Sequence, residues 1–211
     1  MPRGGFDFNA NEDAPLGPSS APAKSVLLVG QAGAAPGPHF LRWRESRSRN
    51  LEHPLDTWSR EIIGVVAEKF GARAVSPSDR PFLPFQKWAM RAEGLKSSPL
   101  GVLMHPIYGL WHAYRGALLF DEELSIAPPD KRVHPCDLCA EKPCLDACPI
   151  DAYSASGFAH ESCVSHVRTQ AGQVCGRSGC MARNACPQGA EHRYPPDMQA
   201  FHMASFVAST A

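Results

Sequence analysis

The stretch that decides the reading is Cys136–Gly189, CDLCAEKPCLDACPIDAYSASGFAHESCVSHVRTQAGQVCGRSGCMARNACPQG. It holds all eight cysteines of the 211-residue chain, and none falls in the first 135 residues. The residues between successive cysteines number two, four, three, fourteen, eleven, four and five, and both Cys148 and Cys186 are followed by proline. Cysteines bunched in this way read as ligands. The chain opens with no apolar secretory run, which points to a reducing, cytoplasmic setting where disulfides do not persist.

Two four-thiolate zinc sites would use the same eight sulfurs, but structural zinc favours paired knuckles separated by a longer loop. Here four cysteines lie within thirteen residues and finish in C-x3-C-P, the ending of bacterial ferredoxin runs, so iron and sulfur lead zinc. In two-cluster ferredoxins the fourth cysteine of such a run ligates the other cluster. Applied here, Cys136, Cys139, Cys144 and the remote Cys186 hold the first cluster. Cys148, Cys163, Cys175 and Cys180 hold the second. Four and four use every cysteine and fit two [4Fe-4S] clusters. His134, His160, His166 and His192 lie nearby, but all-Cys ligation needs none of them.

Outward from this region the chain reads as α+β, with a small α/β layer ahead of a ferredoxin-like dicluster domain. Residues 1–24, rich in Pro, Gly, Ser and Ala, are expected to form a disordered leader. Residues 25–125 are expected to form the α/β domain and residues 126–211 the cluster domain. Within the first, Ser25–Gly30 reads as a buried strand, and Gly30, Gly33 and Gly37 as a strand-to-helix turn. His53–Phe70 reads as an amphipathic helix that buries Leu55, Trp58, Ile62, Val65, Val66 and Phe70. Phe85–Glu93 is a second helix stopped by Gly94, and Leu100–Tyr108 and Trp111–Phe120 are two paired strands. Asp121–His134, with its Pro128-Pro129, is a linker.

Composition bounds the function. With 44% hydrophobic residues the chain can bury a core, and 21 basic against 21 acidic residues argue against a protein that coats nucleic acid. No apolar run is long enough to span a membrane. The expected partner is a redox protein, with a corrinoid or other small molecule the other candidate.

The cysteine pattern resembles that of epoxyqueuosine reductase, the cobalamin-dependent iron-sulfur enzyme of tRNA queuosine synthesis, and of the related reductive dehalogenases. The carriers are the four-Cys run, the lone Cys163 in ESCVSHV and the second group ending at Cys186-Pro187. Upstream, Arg91, Gly94-Leu95, Leu103-Met104, His105-Pro106, Tyr108-Gly109 and Ala117-Leu118 are similar too, so the resemblance runs from about Ala89 to Pro187. The chain departs from it in carrying four residues between Cys139 and Cys144 where the family has two, and KSSPL at Lys96–Leu100 in place of a glycine-rich turn. The resemblance implies that the α/β layer is a reduced version of the nitroreductase-like, cobalamin-processing fold. Under it, His105, Tyr108, His112 and Tyr114 are candidates to line a corrinoid or flavin site. Two functions are then open: an electron-transfer protein whose clusters serve a partner, or a cobalamin- or flavin-dependent oxidoreductase whose clusters reduce the cofactor. A third reading makes the clusters staples of a protein-binding module.

Overall fold

The computed structural model describes residues 2–154 and 157–209. In chain order the elements are β1 (Pro2–Asp7), β2 (Ser25–Ala32), α1 (Gly37–Glu45), α2 (Pro54–Lys69), β3 (Arg73–Val75), α3 (Phe85–Glu93), β4 (Lys96–Ser97), β5 (Leu103–Met104) and β6 (His112–Phe120). Next come α4 (Pro135–Leu138), α5 (Pro143–Asp146), β7 (Tyr153–Ser154), β8 (Gly157–Phe158), α6 (His160–Val167), α7 (Gln173–Ser178), α8 (Met181–Ala185) and α9 (Pro196–Ala208). The chain divides into two compact units. One is built from Met1–Gln31, Ala35–Leu95 and Ala113–Arg132, the other from Ala32–Ala34, Lys96–His112 and Val133–Ala211. The expected boundary at 125/126 is therefore corrected, because residues 96–112 join the cysteine-bearing segment.

The first unit is a four-stranded sheet in the order β1-β2-β6-β3, with helices packed on it. β1 runs antiparallel to β2, with Phe6 opposite Val26, and β3 antiparallel to β6, with Val75 opposite Ala117. The leader expected at residues 1–24 is thus corrected: this segment supplies an edge strand. Its composition concealed the signal, because strand PRGGFD has a single large apolar residue, Phe6. That ring is buried, meets Phe8 edge-on at 5.1 Å, and lies beneath the Arg91 guanidinium at 3.9 Å.

Asp7 fastens the edge strand to the segment just after β6. Its carboxylate accepts from the Ser25 hydroxyl at 2.5 Å and from the backbone N–H groups of Leu124 and Ile126, each at 3.0 Å. Burial works against the charge, but Ser25, the Ile126 and Leu124 amides and Arg91 together hold the Asp7 pKa below its ordinary value. A depressed pKa contributes stability at pH above the unfolded value, about 3.9, and loses it as pH falls through the folded one. Asp7→Ala is expected to lower stability by about 2 kcal/mol at pH 7, because the Ile126 amide loses its acceptor and the Leu124 amide is left with the Ser25 hydroxyl alone. Thermal melts across pH should show the difference from the native chain shrinking below pH 4.

Helix α2 turns a different face inward than its apolar spacing suggests. Trp58, Ser59, Ile63 and Ala67 are buried, whereas Val65 is 68% and Phe70 60% exposed, and Ile62 is exposed as well. The cause lies on the sheet. Gly116 of β6 leaves a slot that the Ile63 side chain fills, so that a Cβ there would stand 2.6 Å from Ile63 Cδ1. Ile63 and Ala67 then close a core with Leu118 and Phe120.

The second unit carries little regular structure. The pairing expected between Leu100–Tyr108 and Trp111–Phe120 is corrected: Leu103–Met104 pairs with Lys96–Ser97, while β6 runs in the large sheet. Pro106 cannot donate to a ladder, and the chain instead makes a tight turn in which His105 and Gly109 exchange backbone hydrogen bonds of 2.9 Å. Between residues 121 and 134 there is no helix or strand. No helix among the described residues is long and apolar enough to cross a membrane.

Candidate metal centres

Cys136 and Cys144 sit on short helical turns that proline starts. Pro135 opens α4 and Pro143 opens α5, each a four-residue turn with a cysteine as its second residue. Proline is pre-set for the first helical position and gives up no hydrogen bond there. Cys139 comes directly after α4 in extended conformation, and Cys180 and Cys186 flank α8, both extended. A sequence of small turns linked by extended cysteines brings sulfurs that are remote in sequence to one place.

The thiols form two foursomes. Burial first, then the charges of Cys186, Cys144 and Cys139, push the Cys136 thiol up to about 11, with Lys142 opposing. Burial, Cys186 and Cys139 likewise raise Cys144. Burial raises Cys186, with a further contribution from Cys139 and against the Gln188 amide. The second foursome is built the same way: burial, then Cys180, Cys148 and Cys175, push Cys163 up to about 11, and burial, Cys180 and Cys148 raise Cys175. Cys148 thus stands with Cys163, Cys175 and Cys180, and Cys186 with the first three cysteines of the run.

Among the described residues no three His, Cys, Asp or Glu side chains are arranged to hold a single metal ion. Within each set, the thiols whose pKa is raised owe part of the rise to other cysteines of the same set. Four thiols in a partly buried setting resist losing their protons unless positive charge replaces them, and coordination to a metal does this outright. Four sulfurs in each set are the donor chemistry that an iron-sulfur cluster uses.

A cavity of about 400 Å³ opens onto Cys136, Cys139, Cys144 and Cys186 and is lined also by Pro99, Pro106, Val133, Leu138, Lys142 and Gln188. Beneath it Leu100, Met104, Leu110 and Ala182 pack with Cys144 and Cys186. Three features here escape sequence reasoning. The Lys142 ammonium donates to the backbone carbonyls of Cys136 and Cys139, closing the loop made by the four residues that separate Cys139 from Cys144. The unusual spacing was the available signal. Gln188 donates from Nε2 to the Pro106 carbonyl at 2.5 Å. Gly109, at φ +55°, lets the 105–109 turn lie directly on the segment after Cys186, where a Cβ would stand 1.9 Å from the Gln188 carbonyl oxygen.

That same turn occupies the aromatic candidates. His105 Nδ1 accepts from the N–H groups of Ile107 at 3.0 Å and Tyr108 at 3.1 Å, and its ring stacks on Tyr108 with centroids 4.4 Å apart. His112 donates from Nε2 to the Leu103 carbonyl at 2.9 Å. These three residues share the second unit. Tyr114 does not join them: it lies in the first unit, where its hydroxyl donates to Glu93 at 3.0 Å.

No protein-family model and no curated protein match the chain. Solved structures do. Epoxyqueuosine reductase from Bacillus subtilis is 16% identical with a TM-score of 0.51, covering 84% of this chain and 52% of that one. The enzyme from Streptococcus thermophilus is 15% identical with a TM-score of 0.54, covering 84% and 53%. Epoxyqueuosine reductase with a tRNA-Tyr epoxyqueuosine-modified stem loop is 16% identical with a TM-score of 0.52, covering 84% and 52%. The likeness is one of fold, a mixed α/β arrangement, and the chain spans about half the length of each of these proteins.

Proposed function

We propose that the chain is an iron-sulfur oxidoreductase of the epoxyqueuosine reductase kind, with two [4Fe-4S] clusters that serve a bound corrinoid or flavin. The observation that carries this reading is the gathering of eight thiols into two foursomes within that fold. Bound there, the clusters supply one-electron transfer. The chain's own residues hold and insulate them. Lys142 locks the loop around the first foursome, Gln188 and Gly109 seat the 105–109 turn on the segment after Cys186, and Met104, Leu110 and Leu100 keep water from its inner side. His105 and His112 rigidify the adjacent turn.

A second reading, electron transfer to a protein partner, is favoured by the rim of the cavity at the first foursome. Val133 is 66% and Leu138 77% exposed there, an apolar lip at the point where electrons would leave. Protein purified without oxygen should be brown and carry about eight irons per chain, four for each cubane. Tightly held zinc, or two irons, would sink both readings. Titrating the iron-loaded protein with cobalamin and separately with FMN then decides between them. Saturable binding of either supports the oxidoreductase, and binding of neither leaves the protein partner as the better account.

A further inference from the structure

We propose that the Tyr153 hydroxyl donates a hydrogen bond to the sulfur of Cys180 and thereby raises the reduction potential of the second centre, that of Cys148, Cys163, Cys175 and Cys180. This rests on the proposed cluster ligation and goes beyond it, because it names a residue that sets the centre's potential. Tyr153 Oη lies 3.7 Å from Cys180 Sγ, within reach of a sulfur acceptor. A thiolate bound to metal has no proton to give, so the phenol is the donor. The ring is held for this task. Tyr153 sits opposite Phe158 in the β7–β8 pair, and the two rings stack with centroids 4.8 Å apart and planes at 17°. Phe158 in turn packs against His160 and Phe206, which meet each other at 5.1 Å, so an aromatic group anchors the hairpin and with it the hydroxyl.

An ordinary phenol, with a pKa of about 10, keeps its proton near neutral pH, so the hydroxyl is available as a donor. A backbone donor acts beside it, the Ala152 N–H reaching Cys148 Sγ at 3.3 Å. Reduction adds negative charge to a cluster, and that charge is shared by the sulfurs. A donor aimed at one of them therefore stabilises the reduced state more than the oxidised one.

The test is Tyr153→Phe in iron-loaded protein prepared without oxygen, with redox titration monitored by electron paramagnetic resonance. The variant keeps the ring and its stacking and loses only the hydroxyl. One midpoint should move to more negative potential, the other should stay where it was, and the iron content should not change. Two unmoved midpoints at full iron content overturn the proposal. Loss of iron from the variant overturns it too, since the hydroxyl would then be a structural requirement rather than a tuning group. Phe158→Leu, which keeps the hydroxyl and removes the stacked ring, should shift the same midpoint less than Tyr153→Phe does. An equal shift would assign the effect to packing. A native chain without two paramagnetic centres would instead refute the cluster ligation on which the proposal stands.

Discussion

Cys186→Ser is expected to remove or distort the centre it shares with Cys136, Cys139 and Cys144, and to leave the centre of its nearer sequence neighbours Cys175 and Cys180 intact. Iron content should fall from about eight towards four per chain. The expectation is counter-intuitive from spacing alone, since only five residues separate Cys186 from Cys180. The two cysteines flank the single turn of α8, both extended, and they act on different neighbours, Cys186 on Cys136 and Cys144, Cys180 on Cys163 and Cys175. Cys186 is buried against Leu110, Met104 and Cys144 and feels the charge of Cys139. Serine keeps the size of the side chain while replacing a soft sulfur donor with a hard oxygen. Electron paramagnetic resonance or Mössbauer spectra of the variant check the outcome. Loss of the centre on Cys163, Cys175 and Cys180 instead would reverse the assignment.

The proposed ligand sets are read from spacing, which is a short-range code. Proline after Cys148 and Cys186 and the crowding of four cysteines into thirteen residues are enough to propose the two sets. Lys142 and Tyr153 were not legible, since a lysine and a tyrosine between cysteines look like any surface residues until the loop and hairpin are closed. In the first unit the local signals misled where a partner decided the outcome. The α2 stripe of Ile62, Val65 and Phe70 has the spacing of a buried face, yet the absence of a side chain at Gly116 draws Ile63 inward instead. Likewise PRGGFD is poor in strand formers, and its pairing with β2 is fixed by Asp7 reaching Ser25, Leu124 and Ile126, contacts with residues far away in the chain.

Stripping the metal is expected to unfold the cysteine-bearing unit and to leave the sheet of the other standing. The reason is the composition of the two interiors. The sheet unit buries Phe6, Val26, Leu28, Trp58, Ile63, Trp88, Leu118 and Leu119, a core that needs no ligand. In the other unit the cluster beneath the cavity is Leu100, Met104, Leu110 and Ala182 together with Cys144 and Cys186, and Cys136, Cys148 and Cys180 pack around it. Sulfurs that should be coordinated thus form part of the packing. Without metal they are four partly buried thiols in each of two groups, and each thiolate formed raises the cost of the next. Metal ligation is worth on the order of 10 kcal/mol in small structural sites, comparable with the whole stability of a domain, about 5–15 kcal/mol. The helices α4, α5, α7 and α8 are four to six residues long, too short to persist by themselves. Circular dichroism after chelation under reducing conditions should lose helical signal, and limited proteolysis should cut first between residues 133 and 190 while a fragment carrying β1 to β6 survives. A chelated sample that keeps its full spectrum and resists cleavage there would mean that the foursomes are held by packing alone.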